Sequence, residues 1–197
     1  MRATDEPAHK RAGRPRREGL DEAILAAALD ELGRVGFSRM NLEKVAQLAG
    51  TSKPTIYARY SSKAKLAAAA LESLRRGTPR ARTGDVRHDL IEELSLFRKG
   101  ALRANGISML GSVLAEQHEH PELLRQFRRH IAGPRHENLR RILRAGIADG
   151  QLRADVDVEI AITMLIGSLH AAYIAGMPIN RDWPKRVTDE WLRENAA

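Results

Sequence analysis

Apolar residues along the chain recur at intervals of three and four positions, which places them on one face of an α-helix. No segment alternates apolar and polar residues as a strand does, so the pattern predicts an all-α fold. Gly133-Pro134 interrupts the longest segment and predicts a kink or a break there. The predicted helices cover residues 20–35, 41–50, 51–60, 62–76, 85–102, 107–118, 121–150 and 158–176, with a last helix containing Val187 and Trp191.

The first four predicted helices are short and closely connected. Gly50 ends the second of them, and the third begins almost at once at Thr51-Ser52. Two short helices across a tight glycine turn, braced by flanking helices, form a helix-turn-helix. The sequence therefore predicts an N-terminal three-helix helix-turn-helix domain over residues 20–76, joined to a C-terminal helical bundle over residues 83–197.

Charge is concentrated in the same part of the chain. The formal net charge is +8, with 33 Lys and Arg against 25 Asp and Glu. Residues 1–82 contain 17 basic and 9 acidic side chains, whereas residues 83–197 contain 16 of each. Because neutralising phosphates releases counterions, a basic segment of this kind favours a polyanionic partner, and nucleic acid is the first expectation.

Residues 1–19 show no apolar periodicity and are predicted to form a flexible basic arm. Within it, Gly13-Arg14-Pro15-Arg16 resembles the core of an AT-hook, in which arginines enter a narrow A·T-rich minor groove. Arg14 and Arg16 are therefore candidate DNA contacts. The alternative is a solvated tail that adds only non-specific attraction to phosphates.

The sequence gives little support to an enzymatic function or to a metal or cofactor site. There is no cysteine, no Gly-rich phosphate loop and no Gly-x-Ser-x-Gly elbow. His118 with His120 and His130 with His136 lack the spacing of a zinc site, so no metal, cofactor or enzyme activity is expected. A basic row on the long helix, which includes Arg135, is interpreted as a solvated face. The cysteine count and the charged N-terminus, which lacks the apolar run of an export signal, favour a cytoplasmic protein.

Residues 41–63, NLEKVAQLAGTSKPTIYARYSSK, resemble the helix-turn-helix signature of TetR-family transcriptional regulators. The resemblance implies a homodimer, most often a repressor, that binds a palindromic operator and is released by a small-molecule effector in the C-terminal domain. Thr51, Arg59 and Ser61 depart from the residues common in the family. The matching residues are Val45-Ala46, Ala49-Gly50, Thr55-Ile56-Tyr57, Tyr60 and Ser62-Lys63.

A recognition helix places its N-terminal end in the major groove of double-stranded DNA. Lys53 can donate to guanine, Pro54 can contact a thymine methyl, and Tyr57 suits a phosphate contact. Tyr60 is interpreted as a core residue. The predicted DNA contacts of the domain are Ser52, Lys53, Pro54, Thr55, Tyr57, Arg59 and Lys63.

Residues 160–177 contain no charged side chain, and this segment is long enough for a membrane span to be considered. Polar residues within the segment and an acidic flank favour burial against protein instead. Small residues recur there every four positions and leave room for a second copy of the same helix. The predicted dimer interface is Gly167, Ala171 and Ala175, together with Val187 and Trp191 of the last helix.

The resemblance also implies an effector pocket inside the C-terminal bundle. Met and Phe on inward helix faces form adaptable apolar walls, and Ser168 or His170 could add polar contacts. The alternative is that these residues only fill a core, in which case the protein is a constitutive or architectural DNA-binding dimer without a ligand. The predicted effector contacts are Phe97, Met109, Val113, Phe127, Met164 and Ser168.

Overall fold

The computed structural model describes residues 19–74, 82–103 and 106–197, and within these ranges the chain forms helices and no β-strand. The all-α prediction is confirmed. Arg14 and Arg16 of the predicted arm lie outside the described residues. The helices are α1 (Leu20–Arg39), α2 (Leu42–Leu48), α3 (Lys53–Tyr57), α4 (Lys63–Ser73), α5 (Val86–Ala101), α6 (Gly106–Ala115), α7 (Pro121–Phe127), α8 (Gly133–Ala148), α9 (Val158–Ile174) and α10 (Trp183–Asn195), and a π-helical turn, Arg128–Ala132, joins α7 to α8.

Side-chain caps explain why α2 and α3 begin where the sequence predicts. Asn41 Oδ1 accepts a hydrogen bond from the backbone N–H of Glu43 at 2.8 Å. Ser52 Oγ accepts one from the backbone N–H of Thr55 at 3.3 Å. Each bond satisfies an N–H group for which the first turn of a helix has no partner of its own. These local bonds fix the two helices of the helix-turn-helix.

Buried side chains form two hydrophobic cores. The first core packs α1 to α4 together with α6 and α7, and its fully buried members include Ile24, Leu66 and Val113. The second core packs α5, α8, α9 and α10 around residues such as Leu90 and Leu143. The chain passes repeatedly between the cores, because α6 packs on α1 and α7 packs on α4. The first core therefore extends beyond the predicted domain boundary at residue 76.

Two glycines produce irregularities in long helices. Gly36 has a φ of 81°, so α1 bends there and continues past residue 35, where the sequence predicts its end. At Gly133-Pro134 the predicted kink takes the form of the π-helical turn. A Cβ on Gly133 would lie 2.8 Å from the carbonyl oxygen of Arg128, so this turn requires glycine. The extra residue in the turn rotates α8 by about 100° relative to an uninterrupted helix.

The last helix is fastened across the second core. Arg87 Nε of α5 lies 2.7 Å from Asp189 Oδ1 of α10. The backbone N–H of Arg153 donates to the Asn195 carbonyl at 3.0 Å. These contacts fasten α10 to α5 and to the loop between α8 and α9. No described helix combines the length and the apolar composition that a membrane crossing requires.

Candidate nucleic-acid interface and adjoining cavity

The candidate recognition helix α3 is anchored by one buried side chain. Ile56 has no exposed surface and packs in the first core. Tyr57 is 48% exposed, and Ser52 Oγ lies 2.8 Å from Thr55 Oγ1 at the beginning of the helix. The structure thus leaves the predicted contacts of this helix on its solvent-facing side. They are Ser52, Lys53, Pro54, Thr55 and Tyr57.

Two predicted cationic contacts form ion pairs within the chain. Lys53 Nζ hydrogen-bonds the Glu43 carboxylate of α2, and this bond raises the pKa of Lys53 and lowers the pKa of Glu43. Arg59 Nε lies 2.7 Å from Asp21 Oδ1 of α1. The two carboxylate side chains are 63% and 60% exposed, so water screens both pairs. A DNA phosphate can therefore compete for either cation.

Lys63 is fixed at the beginning of α4. Its Nζ donates to the Ser38 carbonyl oxygen at 3.1 Å and lies 4.7 Å from the centre of the Phe37 ring. The partly exposed ammonium therefore links the end of α1 to the start of α4. Tyr60 packs against the first core as predicted, and burial raises the pKa of its hydroxyl.

A cavity of about 300 Å³ lies between the two cores. Met109 and Phe127 reach it from the first core and Phe97 from the second, so three of the predicted effector contacts line it. Leu74, at the end of α4, also lines it. The other described lining residues are Gly100, Ala101, Arg103, Gly106, Ile107, Leu110, Ile131, Ala132, Arg135, His136, Ile166 and His170.

The other three predicted effector contacts do not line this cavity. Val113 is fully buried within the first core. Met164 is 60% exposed on the outer side of α9. Ser168 is half-buried, and its Oγ donates to the Leu165 carbonyl oxygen of its own helix at 2.9 Å. Helical periodicity identified a face for each residue but not the element that packs against that face.

Sequence reasoning did not predict most of the polar residues that line the cavity. Arg135, which the sequence places on a solvated face, is only 9% exposed, and its Cζ lies 4.4 Å from the centre of the Phe97 ring. Its position follows the regular helical spacing, since the buried Leu139 and Ile142 lie four and seven residues further along α8; only its charge suggested a solvated face. Burial lowers the pKa of His136 and His170, and the charge of Arg135 lowers both further. The spacing of Arg135 to Leu139 and Ile142 was the available signal.

One side of α9 presents an uncovered apolar stripe. Ile160, Met164 and Ile174 are 54%, 60% and 86% exposed, and Ala171 lies exposed between them. With Gly167 these positions are spaced by four and three residues, the spacing of a helix that packs along another helix. Ala175 is exposed next to this stripe. Val187 and Trp191 of α10 are instead half-buried against the second core.

One group of described residues combines the ligand types that bind metal ions. Ligand atoms of Glu116, Glu119 and His120 lie within 4.8 Å of one another at the turn between α6 and α7. Glu116 accepts a hydrogen bond from Ser38, and the His120 ring meets the Phe37 ring at 4.5 Å. In this structure the group fastens that turn to the end of α1.

Family models match both halves of the chain. Residues 24–70 match the model described as bacterial regulatory proteins, tetR family, and residues 80–191 match the tetracyclin repressor-like C-terminal domain. The chain belongs to the TetR family of transcriptional regulators. The predicted family is therefore confirmed, together with the helix-turn-helix and a DNA-binding function in transcription.

Individual TetR-family proteins are similar over most of their length. A DNA-binding transcriptional repressor TetR from Mycobacteroides abscessus is 32% identical over 192 residues, covering 90% of this chain and 94% of the relative. An uncharacterized HTH-type transcriptional regulator, YdeS, from Bacillus subtilis is 30% identical over 170 residues, 85% of each protein. A regulator from Saccharomonospora viridis, solved in complex with choline, shares the fold with a TM-score of 0.70 and 18% identity, covering 92% and 100% of the two chains.

The ion pair beside α3 yields a prediction about α1 to α4, the helix-turn-helix domain, which is called the reader below. Glu43→Gln removes a carboxylate beside the predicted DNA contacts and releases Lys53. We expect binding to random-sequence duplex to tighten by about fivefold at low salt, because unit charges ~4 Å apart interact by about 1 kcal/mol in water. The gain should shrink as salt rises. Fluorescence anisotropy across a salt series measures both effects.

Glu137→Gln is the matched control for this experiment. Glu137 is 57% exposed and pairs with Arg140 on α8, outside the first core. This substitution should leave DNA affinity unchanged. If Glu43→Gln weakened binding instead, the carboxylate would serve to hold Lys53 in its binding position.

Proposed function

We propose that this TetR-family protein is a homodimeric repressor that reads an inverted repeat and releases it when a small molecule occupies the cavity. The observation that carries the proposal is the position of the cavity between two cores. One core contains every described helix of the DNA reader, and the other contains α9 with its uncovered apolar stripe. A molecule in the cavity therefore lies between the reader and the proposed dimer contact.

The dimer part of the proposal is supported by the exposed surface of α9. Contiguous apolar surface of this kind marks an interaction site in most proteins. A second copy would place two α9 helices side by side, with α10 of each chain completing a four-helix bundle. Gly167 and Ala171 allow close approach of the helices, and Val187 and Trp191 keep part of their surface exposed. Two-fold symmetry would then present two α3 helices to two half-sites.

The coupling part of the proposal is supported by contacts between the cavity wall and the reader. Met109 of α6 lines the cavity, and the Oγ of Ser112, one turn further, lies 2.9 Å from the Ser108 carbonyl oxygen of its own helix and 3.3 Å from the Leu32 carbonyl oxygen of α1. Leu74, at the end of α4, lines the same cavity. A ligand that displaces α6 or α4 would thus move the reader. The ligand must bind the DNA-incompetent arrangement more tightly, since equal affinity for both arrangements shifts nothing.

The repressor role is supported by the Mycobacteroides abscessus relative, whose name describes a DNA-binding transcriptional repressor. The Saccharomonospora viridis neighbour, which contains choline, supports the presence of small-molecule sites in this fold. Because the proposed target is genomic DNA, we place the protein in the cytoplasm.

Selection of bound duplexes from a randomised pool tests the reader and the dimer together. We expect the full-length protein to enrich an inverted repeat whose half-site centres lie about one helical turn apart. Affinity for the enriched duplex should fall steeply with salt, as expected when several phosphates are neutralised. Enrichment of a single half-site would contradict the dimer. Enrichment of no sequence at all would favour the architectural alternative.

A further inference from the structure

We infer that Glu116, Glu119 and His120 bind a divalent transition-metal ion at the turn between α6 and α7. One ligand atom from each of these side chains lies within 4.8 Å of the others. Histidine pairs show no zinc spacing in the sequence, but the fold brings one imidazole and two carboxylates together here. The site lies outside the cavity, so the inference goes beyond the proposed function and does not depend on it.

The ligand set selects the class of ion. Imidazole nitrogen suits zinc, iron, nickel and copper, whereas the hard ions Mg²⁺ and Ca²⁺ take oxygen ligands. Three protein ligands, with water completing the coordination, are a common arrangement for zinc. Ligand atoms on one tetrahedral zinc ion lie about 3.4 Å apart, so small side-chain rotations would close the group around the ion. Zinc is therefore the probe that fits this set.

No described ion pair neutralises the two carboxylates of the group. Glu116 accepts a hydrogen bond from the Ser38 hydroxyl, and within the described residues no lysine or arginine pairs with Glu116 or Glu119. Carboxylates held this close repel each other, and a cation between them relieves the repulsion. A divalent ion would neutralise both carboxylates at once.

A further carboxylate orients the imidazole. Glu122 Oε1 lies 3.3 Å from His120 Nδ1, and a hydrogen bond there leaves Nε2 as the metal ligand. Metal-binding histidines almost always donate their other ring nitrogen to such a partner, which fixes the ring and raises its basicity. The ring of Phe37, 4.5 Å away between centres, packs against the same imidazole. The histidine is thus held in place before an ion binds.

The site adjoins the reader. His120 and Lys63 contact the same side chain, because the Phe37 ring centre lies 4.5 Å from that of His120 and 4.7 Å from Lys63 Nζ. The imidazole is therefore within about 10 Å of Lys63 Nζ, which is the Debye length at 0.1 M salt. A bound ion would add positive charge beside a predicted DNA contact, so it should strengthen attraction to phosphates.

Isothermal titration of the full-length protein, without an affinity tag, with ZnCl₂ and MgCl₂ tests the site. We expect one Zn²⁺ per chain to bind at least about a hundredfold more tightly than Mg²⁺, because only zinc accepts the imidazole readily. Zn²⁺ should also raise the melting temperature, since it binds the folded state. Equal affinity for the two ions, or no binding of Zn²⁺, would overturn the inference.

Variants locate the ion. His120→Gln and Glu119→Gln should each weaken Zn²⁺ binding at least about tenfold, because each removes a ligand. His118→Gln is the matched control, since His118 is exposed on the same turn but outside the group, and it should bind Zn²⁺ like the parent protein. If His120→Gln does not fold, the exposed Glu119 still permits the test. Parent affinity in Glu119→Gln, or a loss in His118→Gln equal to that in His120→Gln, would contradict the assigned ligands.

Anisotropy with a random-sequence duplex tests the link to the reader. Zn²⁺ should tighten DNA binding of the parent protein by about threefold at low salt, as expected for a divalent charge ~10 Å from the contact, and leave Glu119→Gln unchanged. The same gain in Glu119→Gln would contradict the link, because it would place the effect at another position. Unchanged DNA affinity in a parent protein that binds Zn²⁺ would support the metal site and contradict its link to Lys63.

Discussion

Ala171→Arg is expected to convert the proposed dimer to a monomer. Ala171 lies exposed in the middle of the apolar stripe on α9, so symmetry would place two guanidinium groups in the proposed contact. Each would be removed from water without a partner, and such a charge destabilises an interface strongly. Sedimentation velocity measures the state, and affinity for the selected duplex should fall roughly a thousandfold, to the level of random DNA.

Ala148→Arg is the matched control for this dimer prediction. Ala148 is exposed on the charged side of α8, on the same face as Arg141 and Arg144. The Ala148→Arg variant should remain dimeric and bind DNA like the parent protein. If Ala171→Arg also stayed dimeric and kept its affinity, the dimer contact would lie on another surface of the fold.

Tyr57→Ala is expected to reduce affinity for the selected duplex by a hundredfold or more. A hydrogen bond to a charged phosphate contributes about 1.5–3 kcal/mol, and the dimer would lose two of them. Because Tyr57 is 48% exposed, the thermal stability of the protein should change little. Anisotropy titrations on selected and random duplexes measure the loss, which should be similar for both, since phosphates carry no sequence information.

Tyr57→Phe separates the hydroxyl from the ring. Loss of affinity equal to that of Tyr57→Ala would assign the contribution to the phosphate hydrogen bond. Full affinity would instead assign it to packing of the ring against DNA. If both variants bound like the parent protein, α3 would not be the recognition helix.

The reader was predictable from sequence because its determinants are local. Asn41 and Ser52 cap their own helices, and Gly50 provides the positive φ of 62° that the turn requires. Such signals lie within a few residues of the structure they determine. The family resemblance rests on the same short segment.

The cavity was only partly predictable because its determinants are not local. Arg135 follows the helical period onto the buried face of α8 with Leu139 and Ile142, but an arginine is usually solvated, and the pattern does not show that a cavity lies against this face. Met164 and Val113 show the other difficulty. An apolar position can face either core or a surface for a partner, and the pattern alone does not distinguish these environments.

The first core has a consequence for how TetR-family readers can be exchanged between proteins. Four of its buried side chains, Met109, Val113, Leu123 and Leu124, belong to α6 and α7, far along the chain from the reader they support. A chimera that replaced residues 24–70 alone would set a foreign reader on these native side chains, with mismatched packing. New operator specificity is therefore reached more readily by point substitutions on the exposed side of α3 than by recombination of whole domains.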